Sequence, residues 1–325
     1  QAIYPAVGEL AAYTVTYSHD QRANGKGHLT TVTDPSGSTL LNYDARGRLR
    51  EKKSTVSGFE FTFSRAFSLA GRVNQLAYPG GRTVTYTREG CQCRVTKVET
   101  TLGASTTTLL RSLIYQPFGQ AERMLWGERP SVLKAFDLNG RLIKANIGRQ
   151  MQREFAYHLN GQLFTITGQY APWLNRRYTY DNLDRLILVE RPMGSLALPA
   201  KAYDYDKAGN RQHVIVDASV SETYAYVSGS NRLDTVTEGG DTRACGYDAN
   251  GNTTDITPAV APVMVFSYNQ ANRLTSAVVG GTSMMQYAYN GFGQRVLKTR
   301  VLSPTPPEPP TVYLYDFDGN LAAEA

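Results

Sequence analysis

The sequence contains few of the residues that build disulfide scaffolds and metal centres. Its 325 residues include only three cysteines, Cys91, Cys93 and Cys245, and four histidines, at positions 19, 28, 158 and 213. Three cysteines cannot form a disulfide framework, and the histidines do not have the spacing of metal ligands. Cys91 and Cys93 could supply half of a zinc site, but no second pair or nearby histidine completes it. We therefore expect neither a metal nor any other cofactor.

Long apolar runs are also missing. No stretch approaches the roughly 20 apolar residues that cross a bilayer, and residues 1–10 lack the basic and apolar blocks of a signal peptide. We expect no membrane span in this segment, and we expect both ends to be cuts in a longer protein that carries any export signal elsewhere. The chain is 41% hydrophobic and 19% charged, which excludes a disordered composition.

The sequence is rich in one internal repeat. An aromatic residue is followed four residues later by Gly and then by a polar residue, as in Tyr43-Asp-Ala-Arg-Gly47-Arg48. Thirteen such aromatic residues, which we call anchors, stand at positions 43, 67, 86, 115, 136, 157, 180, 205, 226, 247, 268, 289 and 315. Six of the twelve intervals are 21 residues long, and the others range from 19 to 29. Tyr17 begins a degenerate fourteenth unit. A period of this length is typical of a repeat architecture.

Each repeat predicts a β-hairpin. Residues before the anchor alternate with period two, as in Thr83-Val-Thr-Tyr86, and a second alternating segment follows the turn. The Asp or Asn after the anchor can bond the backbone two residues on, and the Gly favours a positive φ angle. Ten of the thirteen units have Gly at that position, and two of the exceptions, Asp184 and Asn272, are residue types that tolerate positive φ. In the third, Ser230, the Gly is displaced by one residue.

The position after the turn glycine is also restricted. It is Arg in five units, Gln in three and Asn in four, and only Cys91 departs from the rule. All three types are planar donors that can bond backbone carbonyls or stack on rings. We expect them to link successive hairpins. The repeat positions singled out on these grounds are Tyr43, Gly47, Arg48, Phe136, Gly140, Arg141, Tyr205, Gly209, Asn210, Tyr247, Gly251, Asn252, Tyr315 and Gly319.

The net charge of +6 and the many tyrosines raise the question of nucleic-acid binding. Much of the arginine, however, occurs once per repeat at a turn and is not gathered in one patch. Nucleic acid is therefore an unfavoured partner. No Ser/His/Asp grouping, paired acids or phosphate-binding loop supports an enzyme.

The strings Tyr43 to Leu49, Tyr203 to Arg211 and Tyr313 to Leu321 resemble the YD repeat of the bacterial Rhs family, which is related to toxin-complex C components and to teneurins. The resemblance covers about residues 13–325. It implies an all-β fold in which tandem hairpins form one spiralling antiparallel sheet, part of a hollow shell or cocoon. It also implies a single array over 1–325. Within that array, 303–310 is a proline-rich loop inside one repeat.

The resemblance implies that the shell encloses or presents a polypeptide, and the adjacent repeats and a C-terminal toxin of a polymorphic toxin are the expected partners. The Rhs core motif with its self-cleavage site is not found, and Asp34-Pro-Ser-Gly37, the nearest string, is interpreted as a turn. Thirteen hairpins would make a ladder about 125 Å long, or about one turn of a spiral, so we expect a fragment of a larger shell.

A second hypothesis remains open. The exposed tyrosines together with Trp126 and Trp173 could form a carbohydrate-binding or adhesive face, as the teneurin resemblance implies, with surface glycans as partners. Packing in a core or loop is the competing interpretation of the two tryptophans. A secretion apparatus is a further expected partner, and the expected location is secreted or at the cell surface.

Overall fold

A computed structural model describes residues 2–4, 13–90, 94–117, 119–127, 129, 131–148, 151–191, 200–281, 283–301 and 309–325. This part of the chain is all-β, as the repeat predicted, and its only helical element is the 3-10 turn Pro172–Leu174. No helix within it is long and apolar enough to cross a membrane.

The strands, in chain order, are β1 (Ala2–Tyr4), β2 (Tyr13–His19), β3 (Leu29–Asp34), β4 (Gly37–Tyr43), β5 (Leu49–Val56), β6 (Phe59–Phe67), β7 (Val73–Ala77), β8 (Thr83–Glu89), β9 (Arg94–Leu102), β10 (Ser105–Tyr115), β11 (Ala121–Trp126), β12 (Ser131–Phe136), β13 (Leu142–Ile147), β14 (Met151–Tyr157), β15 (Leu163–Thr167), β16 (Arg176–Tyr180), β17 (Leu186–Glu190), β18 (Lys201–Tyr205), β19 (Arg211–Val216), β20 (Ser219–Tyr226), β21 (Leu233–Glu238), β22 (Asp241–Tyr247), β23 (Thr253–Pro258), β24 (Met264–Tyr268), β25 (Leu274–Val279), β26 (Ser283–Tyr289), β27 (Arg295–Arg300), β28 (Thr311–Tyr315) and β29 (Leu321–Glu324).

The chain divides into two compact units. Unit 1 comprises 1–84 and 243–325, and unit 2 comprises 85–242. In unit 1, β1 to β7 form one series of sequentially paired antiparallel strands, and β22 to β29 form a second series. In unit 2 the strands from β9 to β21 pair in the same sequential way. The predicted antiparallel hairpins are confirmed.

Sequential antiparallel pairing places the connections of each unit alternately at two opposite rims. We call the rim with the Asp-x-x-Gly turns the tip rim and the other the base rim. The turns between β12 and β13, between β14 and β15, and between β16 and β17, for example, lie on the tip rim of unit 2. The connection at Asp34-Pro-Ser-Gly37 is a base-rim turn in unit 1, where the Asp34 side chain accepts a hydrogen bond from the backbone N–H of Ser36.

Unit 1 contains a hydrophobic core between its first and last strands. Val56 and Phe63, from β5 and β6, pack with Val296 from β27 and with Val312 and Leu314 from β28. All five side chains are buried, and each such burial stabilises the fold by roughly 1.5–3 kcal/mol. The two segments of unit 1 are therefore joined by face-to-face packing, in addition to the pairing within each of them.

Two sequence-based expectations fall on residues outside the described ranges. Cys91 and Cys93 lie there, and so does most of the proline-rich stretch, since 302–308 are not described.

Candidate functional site: the turn ladder and the closing contact

The Asp-x-x-Gly turn is built from short-range hydrogen bonds, and the turn after Tyr43 is representative. The Gly47 N–H donates to the Asp44 carbonyl at 2.9 Å, and the Asp44 N–H donates to the Arg48 carbonyl at 2.9 Å. The Asp44 carboxylate also accepts from the backbone N–H groups of Arg46 and Arg48 at 2.9 and 3.0 Å. One side chain thus satisfies two donors of the turn, which explains why Asp or Asn recurs after the anchor.

The residue at the glycine position adopts the expected left-handed backbone. Gly47, Gly140 and Gly251 have φ of 73°, 76° and 89°. The two substitutes, Asp184 and Asn272, have φ of 62° and 55°, and the displaced Gly229 has 74°. The other repeat glycines with positive φ are Gly71, Gly90, Gly119, Gly161, Gly209, Gly293 and Gly319.

A β-bulge follows each described turn, and the sequence pattern did not reveal it. Tyr43 pairs with Leu49 whereas Asn42 pairs with Glu51, so Arg50 is the extra residue. The same register shift occurs at Phe136, Tyr205 and the other anchors whose pairing is described. Because a left-handed residue followed by a bulge increases local strand twist, each of these turns increases the twist of its sheet locally.

The anchor tyrosines tie each hairpin to the preceding one. The hydroxyl of Tyr43 donates to the Leu29 carbonyl at 2.8 Å, and the hydroxyl of Tyr205 donates to the Leu186 carbonyl at 2.7 Å. Six further anchors make the equivalent bond, namely Tyr115, Tyr157, Tyr180, Tyr226, Tyr289 and Tyr315. Burial raises the pKa of several of these phenols, including Tyr43, Tyr205 and Tyr315.

The planar donor after the turn glycine has two kinds of contact. It first pairs with the turn's own carboxylate, as Arg141 does with Asp137 at 2.6 Å and Asn210 does with Asp206 at 2.9 Å. It then reaches the next hairpin, where the Arg141 guanidinium lies 4.8 Å from the ring centroid of Tyr157. Other contacts to the following hairpin are made by Arg48, Gln120, Gln162, Arg185, Asn210, Asn252, Arg273 and Gln294.

These contacts lower the pKa of the turn carboxylates. The hydrogen bond from the Arg48 side chain is the main cause of the lowered pKa of Asp44, which falls to about 2. Backbone hydrogen bonds from Arg141 and Arg185 are the main causes at Asp137 and Asp181. The ionised carboxylate is therefore the form that the folded turn prefers.

A second arrangement joins the first and last hairpins of unit 1, and we call it the closing contact. The Tyr17 hydroxyl donates to the Gly291 carbonyl at 2.9 Å, and the Gly291 N–H donates to Oδ2 of Asp34 at 2.7 Å. These partners are 274 and 257 residues apart in sequence. A Cβ atom on Gly291 would lie 2.5 Å from Cγ1 of Val32 and 2.7 Å from Cγ1 of Val15, so only glycine fits this close approach.

Lys52 forms the polar centre of the closing contact. Its side chain is 7% exposed, and its ammonium donates to the carbonyls of Tyr315 and Asp316 at 3.1 and 2.9 Å. Desolvation lowers the pKa of Lys52, and the nearby Asp316 charge partly offsets this effect. The Arg65 guanidinium lies 4.4 Å from the ring centroid of Phe317, in the same turn as Asp316.

The two tryptophans are in unit 2, in variable segments at its base rim. Trp126 ends β11 and is 51% exposed, and Trp173 lies in the 3-10 turn between β15 and β16 and is 49% exposed. Both are half in solvent, so neither is a core residue.

The histidines and the remaining cysteine are dispersed. His213 contacts Asp204, His28 stacks on Tyr43, and Cys245 is a free thiol. Within the described ranges no cluster of three or more metal-binding side chains occurs.

The family comparison agrees with the geometry of the first complete repeat. The model of the RHS Repeat matches residues 24–59, which contain the turn of Tyr43 and the strands on both sides of it. This part of the chain is therefore similar to the RHS Repeat. It contains one anchor, one turn carboxylate and one planar donor of the ladder, namely Tyr43, Asp44 and Arg48.

Solved structures share the fold of this chain. The crystal structure of TcdB2-TccC3-Cdc42 matches 95% of this chain with a TM-score of 0.65 at 15% identity. A structure of the Tc holotoxin pore of Photorhabdus luminescens, carrying a substitution in TccC3, matches 98% with a TM-score of 0.62 at 14% identity. This chain spans 18% and 21% of those chains.

A curated relative is the double-stranded DNA deaminase toxin A of Burkholderia cenocepacia (strain H111). It is 26% identical over 215 residues, which is 63% of this chain and 12% of the relative. The chain therefore spans a small part of this relative's length.

Proposed function

We propose that this Rhs-repeat chain is a structural wall segment of a shell that encloses or presents a polypeptide cargo, and that the cargo is the C-terminal toxin of a secreted polymorphic toxin. The closing contact is the observation that carries the proposal. It packs hairpins from the two ends of the described array against each other, which a wall that turns back on itself requires.

The chemistry of the repeat supports a wall more than a catalytic centre. The tyrosine hydroxyls, turn carboxylates and planar donors described above are paired with neighbouring backbone or side chains, which consumes their hydrogen-bonding capacity. Groups engaged in this way brace successive hairpins. The repeat arginines likewise pair with carboxylates of their own turns, which leaves less free charge for nucleic-acid phosphates.

The test is protection of cargo in the intact protein that contains this segment. We expect a cargo domain to resist added protease while the wall is folded and to be digested once the wall is denatured. The control is the same cargo expressed alone. Equal digestion rates for the enclosed and the isolated cargo would contradict the proposal.

Adhesion to surface glycans remains the alternative, because Trp126 and Trp173 are each about half exposed. Binding on a glycan array that is lost in Trp126→Ala or Trp173→Ala would favour it. Phe59→Ala is the control, since Phe59 is an exposed aromatic residue that the hypothesis does not include.

A further inference from the structure

Lys52 is a buried charge in an apolar row of unit 1. On β5 it pairs with Leu41 of β4 and with Phe63 of β6, and all three residues are buried. The next residue, Lys53, points to the opposite face of the sheet, where it pairs with Glu60. A charge among apolar side chains costs free energy unless partners compensate it. The position of Lys52 therefore needs an explanation beyond packing.

The partners of the Lys52 ammonium are incomplete. An ammonium group has three donors, and two of them donate to the carbonyls of Tyr315 and Asp316. Within the described ranges no third acceptor bonds this ammonium, and no carboxylate lies within ion-pair distance of it. The Asp316 carboxylate is nearby, but its Oδ1 accepts from the backbone N–H groups of Asp318 and Asn320 in its own turn. One donor and the positive charge are left for an outside partner.

A cleft of about 300 Å³ opens beside Lys52 in unit 1. Leu41 and Leu49 from the first strands and Phe292 and Phe317 from the last turns line it together with Lys52. This volume is at the lower end of the range for small-molecule pockets, which are mostly apolar and contain a few polar or charged groups. The cleft therefore has the size and lining of a site for a small apolar ligand.

A ligand can reach this lining from solvent. Phe292 is 42% exposed, and its ring centroid lies 5.9 Å from the Lys52 ammonium. An apolar body that lies on this ring, with an acceptor a few bonds away, can therefore contact both groups.

The charges around the cleft favour an anion at its inner end. Lys52 is buried, and the Arg65 guanidinium lies 4.4 Å from the ring centroid of Phe317 on the same wall. Asp318 also lines the cleft, but it is exposed, so solvent screens its charge. Hydrogen bonds between ionised groups are about twice as strong as those between neutral ones. A carboxylate is therefore a better match for the buried ammonium than a neutral acceptor.

We propose that the cleft of unit 1 binds a small apolar carboxylate, with its anionic end on the ammonium of Lys52 and its apolar body against the rings of Phe292 and Phe317. The ligand supplies the anion that this ammonium lacks among the described residues. Its source is a free acid or the C-terminal carboxylate of a polypeptide that ends in an apolar residue. The site does not depend on any cargo, so the shell function can fail while the site stands, and the reverse also holds.

Occupation of the cleft should also stabilise the closing contact. Leu41 and Leu49 belong to the first strands, and Phe292 and Phe317 belong to the last turns, so the ligand contacts both sides of it. A ligand that binds only the folded state raises its stability in proportion to the logarithm of the ligand concentration. The melting temperature of this chain should therefore rise with the concentration of the acid.

The test is isothermal titration calorimetry on this chain with matched probes. Phenylpropionate carries the carboxylate, and phenylpropanol has the same apolar body with a neutral hydroxyl. We expect the acid to bind at least about 10-fold more tightly than the alcohol, because a hydrogen bond to a charged group contributes about this much. N-acetylphenylalanine and its amide repeat the comparison for a chain terminus, and the acid that binds more tightly identifies the source.

Variants locate the binding. Lys52→Met removes the charge and keeps the length of the side chain, so the preference for the acid should disappear while the affinity for the alcohol changes little. Lys53→Met is the matched control and should leave both affinities unchanged, since Lys53 lies on the opposite face. Phe292→Ala should weaken the acid and the alcohol alike. It tests the site without altering Lys52, and circular dichroism verifies that each variant is folded.

The proposal is overturned if the parent binds neither acid, or if it binds acid and alcohol equally. A preference for the acid that persists in folded Lys52→Met also overturns it. So do affinities that are unchanged in Phe292→Ala, because the probes would then bind outside the cleft.

Discussion

The ammonium of Lys52 lies 2.9 Å from the carbonyl oxygen of Asp316, although the two residues are 264 positions apart in sequence. Lys52 is in the second strand of the Tyr43 hairpin, and Asp316 opens the last turn. A long-range bond from a buried donor to a turn backbone fixes the position of that turn on the first strands. The closing contact therefore combines hydrogen bonds, which depend on direction, with the hydrophobic packing of the unit 1 core.

Substitution of Lys52 should destabilise unit 1, whereas substitution of the neighbouring Lys53 should have little effect. Lys52→Ala loses both bonds to carbonyls and the buried methylene stem, so we expect a loss of about 1–3 kcal/mol in the free energy of unfolding. Lys53 is the matched control, because it forms a partly exposed ion pair with Glu60, and Lys53→Ala should cost less than about 1 kcal/mol. Urea unfolding measures both, and equal losses would contradict the role of Lys52.

Gly291 should be intolerant of even one added methyl group. Its φ is not in the left-handed region, so Gly291→Ala strains no backbone, but the new Cβ would overlap the methyl groups of Val32 and Val15. Overpacking of this kind costs about 1–3 kcal/mol. The control is Ala249→Leu, which enlarges the same turn position at an exposed tip, where Leu138 already occurs naturally. If thermal melts show the two variants to be alike, the close approach at Gly291 is not tight.

Gly140 tests backbone strain separately from packing. Gly140 has φ of 76°, and a Cβ there would meet only the end of the Gln120 side chain at 3.9 Å. Gly140→Val should therefore destabilise the protein by about 1 kcal/mol or more through conformation alone. Gly140→Asn should cost clearly less, because Asn272 adopts the same backbone in its own turn. Chemical denaturation of both variants makes the comparison, and equal costs would refute the strain argument.

The turn carboxylates should make stability fall in acid. Their pKa values are lower in the folded state than the ordinary value of 3.8, and that of Asp44 is about 2. A carboxyl group with a lowered folded pKa contributes its full stability above the unfolded value and loses it as the pH falls through the folded value. We expect melting temperatures to drop between about pH 4 and pH 2. Asp137→Asn should reduce this dependence.

The anchor tyrosines should produce the opposite dependence in alkali. Burial raises the pKa of Tyr43, Tyr180, Tyr205, Tyr226, Tyr268, Tyr289 and Tyr315 above the ordinary value of 10.0. Their contribution is complete below pH 10 and is lost as the pH rises toward the folded values. Tyrosinate absorbance should therefore develop late and together with unfolding. Lys52 works in the other direction, because its lowered pKa adds stability as the pH rises toward its unfolded value.

The local repeat could be predicted from the sequence because its chemistry is short-range. Asp44, Gly47 and Arg48 lie within five residues of one another, and they contain the turn, its left-handed residue and its internal ion pair. The bulge after each anchor was missed, since it changes the pairing across two strands and leaves no separate mark in the repeat.

The repeat pattern also did not predict which residues each turn would contact in the folded structure. Gly291 stands where other turns have Ala45, Leu138 or Ala249, and its close approach to Val32 and Val15 explains why it must be glycine. Trp126 and Trp173 were singled out by residue type alone, and their place on one rim of unit 2 required the strand pairing.

The sequence by itself therefore determined the hairpin, its turn and the links to the next repeat, because these depend on residues that are close along the chain. Only the tertiary structure decided which tips are covered and which remain exposed. The reason is physical: packing between strands that are far apart in sequence leaves no local mark in the repeat, so the same turn pattern places Asp316 against Lys52 and leaves Leu138 and Leu159 in solvent.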